Sequence, residues 1–159
     1  MTKGDMTKRV QVIQKIPGAY AAYKALADDI DKAAANAGVD GLLVELVKMR
    51  ASQLNGCAYC LDMHSADALE RGENPRRLFV LEAWRETDLY TEQERAALAL
   101  AEAVTRLSAT QDVPDDVYER AVGVFTEDQY SAIVWLIMVI NGWNRLCVTS
   151  HAPLPRRSG

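Results

Sequence analysis

Four side chains in the first half of the chain have types and spacings suited to chemistry. Cys57 and Cys60 enclose two residues, His64 follows after three more, and Glu45 precedes Cys57 by twelve positions. Two of the three cysteines and one of the two histidines thus fall within eight residues. On a helix, thiols three apart and an imidazole four further on share one face. A three-residue helical step separates Cα atoms by about 5 Å, inside the range a disulfide spans, so the pair can close and open a bond with little backbone movement. At a helix start, unpaired N–H groups and the positive dipole end stabilise a thiolate. By that criterion Cys57, nearer the start, is the more acidic thiol.

Three chemistries use such a set. In thiol redox catalysis, one thiolate attacks a peroxide oxygen, becomes sulfenic acid and is resolved by its partner as a disulfide. A metal site would take Cys57, Cys60 and His64 as ligands, with Glu45 or His151 completing four, although zinc-finger spacings normally come as two separated pairs. In the third reading the cysteines simply fill a helix interface and His64 is an interior histidine with its hydrogen bonds satisfied. Glu45 enters the chemistry only if it reaches His64, where a carboxylate on one imidazole nitrogen would fix the tautomer and free the other to move a proton. Its neighbours Val44 and Leu46 do not settle which way it faces. Cys147, near a helix end, reads as a packed small hydrophobe.

The elements that must position these residues are helices. Residues 1 to 16 suit a short helix or an arm laid across a neighbour. Pro17 opens an amphipathic helix ending near Gly38, and Asp40 is the N-cap of a second that carries Glu45 and runs through Leu54. Asn55-Gly56 breaks the chain sharply, so the cysteine helix starts at about Cys57 and stops at Gly72. Asn74-Pro75 starts a short helix to about Trp84. Thr91 with Glu94 forms a capping box before the three-and-four pattern of Ala97, Leu100, Ala101, Val104 and Leu107. Asp112-Val113-Pro114 opens a helix to about Val124, and Thr126 with Gln129 caps a last one ending between Asn141 and Ser150. No five-residue alternation bounded by turns predicts a strand, so the class is all-α with six to seven helices.

A length of 159 residues is one domain's worth, with a core at about 40–110 and a mobile tail at 152–159. A net charge of −4 offers no positive field to phosphate backbones, which argues against a nucleic-acid partner. The longest apolar run, residues 132–140, is about half of a bilayer span and predicts a buried helix, so no membrane partner is expected. The N-terminus lacks the apolar core of a secretion signal, which points to the cytoplasm. In that reducing compartment, three cysteines do not make a structural disulfide framework.

The run Arg50-Ala51-Ser52-Gln53-Leu54-Asn55-Gly56-Cys57-Ala58-Tyr59-Cys60-Leu61-Asp62-Met63-His64, with Glu45 upstream, closely resembles the AhpD-like alkylhydroperoxidase core of the carboxymuconolactone decarboxylase superfamily. The likeness extends less tightly through Trp84-Arg85-Glu86, the Thr91–Leu107 region and residues 141–146. It implies an AhpD-like all-helical subunit that forms trimers or hexamers and reduces hydroperoxides with its cysteine pair. No cofactor is implied. Electrons would come from a dithiol reductant, a thioredoxin-like protein or a lipoyl carrier protein. Carried onto this chain, Cys60 would be the peroxide-attacking thiol, Cys57 the resolving thiol, and Glu45 and His64 the proton relay. The chain departs from the best-known member at Tyr59, where that protein has a histidine, and a phenol with a pKa near 10 cannot shuttle protons as imidazole does. Redox sensing or zinc binding by a non-enzymatic oligomer, and lactone decarboxylation, are the alternatives.

Overall fold

The structure, a computed structural model, describes residues 8–156. Residues 1–7 of the expected N-terminal arm and 157–159 of the expected tail lie outside the described residues. The order is α1 (Val12–Lys15), α2 (Pro17–Asn36), α3 (Gly41–Asn55), α4 (Ala58–Glu70), α5 (Pro75–Phe79), a 3-10 segment (Leu81–Glu86), α6 (Glu92–Thr105), α7 (Leu107–Thr110), α8 (Asp115–Val124) and α9 (Glu127–Ser150). There is no strand among the described residues.

The predicted start signals work as physical caps. The Asp40 carboxylate accepts from the N–H groups of Leu42 and Leu43, and Thr91 with Glu94 and Thr126 with Gln129 form reciprocal capping boxes. At the end of α3, Gly56 adopts the left-handed region at φ 65°, and the Cys57 N–H bonds to the Ser52 carbonyl at 3.0 Å. This closure satisfies the last carbonyls of α3 and makes Cys57 at once the residue after one helix and the N-cap of the next. The two chemistry-bearing helices are therefore joined with almost no loop.

Helix α3 is the centre of the packing, against α4, α6 and α9. Nine of its residues are buried, from Leu43 to Ser52. One side of it joins Ile30 of α2, Leu100 of α6, Ala121 of α8 and Ile133 and Ile137 of α9 in the larger apolar cluster. Its Leu46 and Met49 meet Leu78, Leu81, Trp84 and Leu98 in a second. Burial of these side chains, at about 1.5–3 kcal/mol each, supplies the main driving force for the fold.

All seven predicted helical stretches are present, with differences in detail. The stretch from Asn74 to Trp84 breaks after Phe79, and the rest winds as a 3-10 segment in which Leu81 and Trp84 are both buried. The segment is kinked at Ala83 (φ −104°, ψ 29°), and Leu81 and Trp84 on either side of it enter the same cluster. The helix after Thr91 ends at Thr105, and Leu107, predicted to belong to its apolar stripe, opens the separate turn α7 half exposed. In α9, Ile133, Leu136, Ile137 and Ile140 are buried, whereas Trp135 and Met138 face outward, so the apolar run is not enclosed on every side. By length and composition α9 alone among the described helices could cross a bilayer, and its apolar face is instead covered by α2, α3 and α6.

Gly142 permits a close approach of Tyr23 on α2 to α9. The Tyr23 hydroxyl donates to the Val139 carbonyl at 2.8 Å, and its ring lies edge-on to Trp143 with centroids 4.7 Å apart. A Cβ at residue 142 would overlap that hydroxyl. Gly142→Ala is expected to lower stability by about 1–3 kcal/mol in urea denaturation, because a packed ring must move. Tyr23→Phe in the same background is expected to recover part of the loss, and an unchanged midpoint for Gly142→Ala would refute the close approach.

Candidate functional site

Three helices and a strap converge on the cysteine pair. Cys57, as N-cap of α4, accepts the Cys60 N–H on its sulfur at 3.3 Å. The two sulfurs form a disulfide, with Cα atoms 5.4 Å apart, close to the separation that helical geometry predicts. Both residues are about 1% exposed, so the bond is enclosed by protein. Ala51 of α3 and Ile140 and Cys147 of α9 pack around it.

One turn on, His64 is buried on the same side of α4, and its Nδ1 lies 2.9 Å from Oε2 of Glu45 on α3. Glu45 is 3% exposed, which answers the question its neighbours left open. It faces inward because α3 is covered around most of its circumference, and a carboxylate there needs a partner. Burial pushes the Glu45 carboxyl upward. The hydrogen bond and charge of His64, with Lys48 and Arg71 nearby, outweigh that and hold it below the ordinary carboxylate range. With Nδ1 engaged by Glu45, any proton exchange at this ring would use Nε2.

The adjoining cleft has a volume of about 490 Å³, in the range of small-molecule sites. Cys60 and His64 line it, with Tyr20, Ile30, Val139 and Trp143 among the apolar walls; Cys57 does not. The chain before α2 closes one side, where Gln11 donates to the Ser150 carbonyl at 2.8 Å and the Val12 N–H donates to the Ser150 hydroxyl at 3.3 Å. Of the stretch read as a short helix or an arm across a neighbour, the described residues 8–16 contain the short helix α1 and bond to the end of α9 of their own chain. Ala152 and Pro153, in the segment predicted to be a mobile tail, also line the cleft, as does Tyr59.

Sequence reasoning missed several supporting residues. Asp67 and Arg71 continue the helical face of His64 at three and seven positions, a pattern that could have flagged them. Asp67 Oδ2 lies 3.9 Å from His64 Nδ1, and Arg71 Nε lies 3.7 Å from Glu45 Oε1. A polar seam ties the end of α3 to α9. Asn55 donates to Asn141 and Asn144 at 2.9 and 2.8 Å, and the fully buried Asn144 donates to Ser52 at 2.9 Å. It fixes the Gly56 turn, and with it the position of the cysteines.

Behind α3, Glu102 of α6 gathers Arg50 Nε at 2.8 Å, the Trp84 indole N–H at 2.9 Å and Arg85. Burial raises the Glu102 carboxyl, but hydrogen bonds from Trp84, Arg85 and Arg50 together hold it below the ordinary range. A carboxyl lowered in the folded state contributes stability that is present above its unfolded pKa, near 4.3, and is lost as pH falls through the folded value. Glu102→Ala is expected to cost about 3–5 kcal/mol at neutral pH, because Arg50 stays buried without its partner. Urea midpoints measured against pH should also lose part of their acid-side decline. A midpoint within experimental error of wild type would show that the hub carries no stability.

Among the described residues, two groups of side chains could offer a cation three donor atoms within 4.8 Å of one another. One is Cys57, Cys60 and Cys147, and the other is Glu45, His64 and Asp67. The cysteines and His64, counted together as ligands in one reading of the sequence, thus fall in separate groups. His151, at the C-cap of α9 with φ 47°, belongs to neither.

Comparison with known proteins agrees with this architecture. Residues 17–103 match the carboxymuconolactone decarboxylase family, which takes in α2 through most of α6 and all four candidate residues. An uncharacterised protein of Bacillus subtilis (strain 168), YdfG, is 42% identical over 120 residues, spanning 76% of this chain and 81% of that protein. A crystal structure from Agrobacterium tumefaciens, of a protein of unknown function named as a candidate AhpD antioxidant defence protein, superposes with a TM-score of 0.86 at 33% identity. It covers 95% of this chain and 100% of that one. The debrominase Bmp8 shares the fold at a TM-score of 0.78 and 24% identity, over 90% of this chain and 74% of its own. The fold is AhpD-like, and the chain belongs to the carboxymuconolactone decarboxylase family.

Proposed function

We propose that the protein is a thiol peroxidase that reduces organic hydroperoxides through Cys60 and Cys57. The observation that carries this reading is the lining of the cleft: Cys60, one half of a disulfide, opens onto an apolar chamber beside His64, whose other nitrogen is held by the buried Glu45. Cys60 is the attacking thiol because its side of the bond faces the space where a substrate would sit. Cys57 resolves it from the helix N-terminus. The apolar walls suit the organic part of a hydroperoxide better than hydrogen peroxide, which has no carbon to bury.

In the cycle, the Cys60 thiolate attacks the terminal oxygen of the hydroperoxide, the O–O bond breaks, and the alkoxide leaves as an alcohol after taking a proton. In this reading His64 Nε2 moves that proton, with Glu45 holding the ring and balancing its charge. The resulting Cys60 sulfenic acid is attacked by Cys57, expelling water and forming the disulfide. An external dithiol then reduces the bond and leaves as its own disulfide. A thioredoxin-like protein or a lipoyl carrier in a reducing cytoplasm is the expected donor. Assembly as a trimer or hexamer belongs to the same proposal. Tyr59, between the cysteines, contributes surface to the cleft, and the proton path runs through His64 without it.

Counting thiols tests the reading directly. Reduced protein given one equivalent of cumene hydroperoxide is expected to lose two thiols per chain, form cumyl alcohol, and carry a bond between Cys57 and Cys60 in peptide mapping. Three thiols retained after excess hydroperoxide would overturn it.

A further inference from the structure

Cys147 is buried on α9, a few ångströms from a disulfide to which the proposed cycle gives it no connection. Its sulfur lies within 4.8 Å of both Cys57 and Cys60 sulfurs, in the same apolar cluster, and it lines the same cleft as Cys60. Rotation about the Cys147 Cα–Cβ bond moves its sulfur by a distance of this order, so α4 and α9 need not separate for the sulfurs to meet. A thiol held against a disulfide has one reaction open to it that needs no outside reagent, namely exchange.

We propose that Cys147 is a third redox thiol, which attacks the Cys60 sulfur of the Cys57–Cys60 bond and moves the disulfide to Cys60–Cys147. The inference builds on the reading of Cys60 as the reactive sulfur, while the exchange itself requires no peroxide. In this step the Cys147 sulfur bonds to Cys60, the Cys57–Cys60 bond breaks, and Cys57 departs with the electron pair. The proton that Cys147 gives up ends on Cys57, so no electrons enter or leave the protein.

The choice of sulfur follows from the two ends of the bond. Cys60 is the end that shares the cleft with Cys147. Cys57 is the better leaving thiolate, because its sulfur already accepts the Cys60 N–H at the N-terminus of a 13-residue helix, where negative charge is stabilised. Burial pushes the Cys147 thiol above its ordinary value, so the exchange is slower than closure of the Cys57–Cys60 pair and follows it. The outcome is a reserve partner for Cys60. When Cys57 is modified or absent, an oxidised Cys60 can still be closed into a disulfide before further oxygen reaches it.

The test uses 2,2′-dithiodipyridine, which activates a thiol as a mixed disulfide without any peroxide. Cys57→Ser keeps an oxygen at the N-cap and is expected to retain the wild-type helical circular dichroism. One equivalent of reagent should release two thiopyridones per chain from this variant, the second more slowly, and leave peptides joined through Cys60 and Cys147. Cys57→Ser with Cys147→Ser should release one and keep a stable pyridyl adduct. One release from the single variant, with Cys147 still open to alkylation after unfolding, overturns the proposal. Oxidised wild-type protein incubated with iodoacetamide gives a second readout. Carbamidomethylated Cys57 in chains bridged from Cys60 to Cys147 supports the exchange, and alkylation confined to Cys147 counts against it. Both readouts are independent of peroxide turnover, so an inactive peroxidase and a failed exchange are told apart.

Discussion

Cys60→Ser is expected to abolish dithiol-dependent consumption of cumene hydroperoxide, with kcat/KM lower by about a thousandfold or more, as when a nucleophile is removed from any group of residues that acts as a unit. A serine hydroxyl has almost the size of the thiol but is nearly undissociated at neutral pH and does not take up a peroxide oxygen. The cleft and the His64 to Glu45 pair should survive, so circular dichroism and the urea midpoint of the variant are expected to stay near those of the reduced wild type. Cys57→Ser should differ in kind. Its Cys60 still faces the cleft, so the first equivalent of hydroperoxide is reduced at a rate near wild type, and turnover then depends on how Cys60 is resolved. If Cys60→Ser turned over hydroperoxide at the wild-type rate while Cys57→Ser did not, the two roles would have to be exchanged. The N-cap sulfur would then be the nucleophile, as its acidity alone suggests.

The parts of the site that the sequence made readable are the local ones. Spacing alone aligned Cys57, Cys60 and His64, and the Asn55-Gly56 break placed the helix start within one residue, because capping and left-handed turns are decided by a few neighbouring side chains. The caps at Asp40, Thr91 and Thr126 were readable for the same reason. The facing of Glu45 was not. Its direction depends on how α3 is covered by α4, α6 and α9, which is set by packing between segments far apart in the chain. The walls that face Cys60 and His64 across the cleft likewise come from α2, α9 and the strap ahead of α2, segments far from the cysteine motif in the chain. Cys147 looked like filler since nothing in its own neighbourhood points to Cys60, and only the crossing of α9 over α4 brings the sulfurs together. Glu102 was hidden in a strongly patterned helix, where charged positions ordinarily face water.

Glu45→Gln isolates the charge of the relay from its shape, and it is expected to lower kcat/KM by about a hundredfold or more, the low end of what positioned acid–base groups contribute. The amide oxygen can still accept from His64 Nδ1, so the ring keeps its tautomer and orientation. What disappears is the negative charge that favours an imidazolium when Nε2 takes a proton. Because the Glu45 carboxyl is held below its ordinary range, it stays ionised down to acidic pH, and the acid limb of the wild-type rate profile should not follow a carboxyl titrating near 4.3. His64→Gln should cost a similar factor, and the double variant little more than either single one, since both substitutions disable one unit. Multiplicative losses in the double variant would mean that Glu45 supports α3 by packing while His64 acts without it, and the four candidate residues would reduce to three.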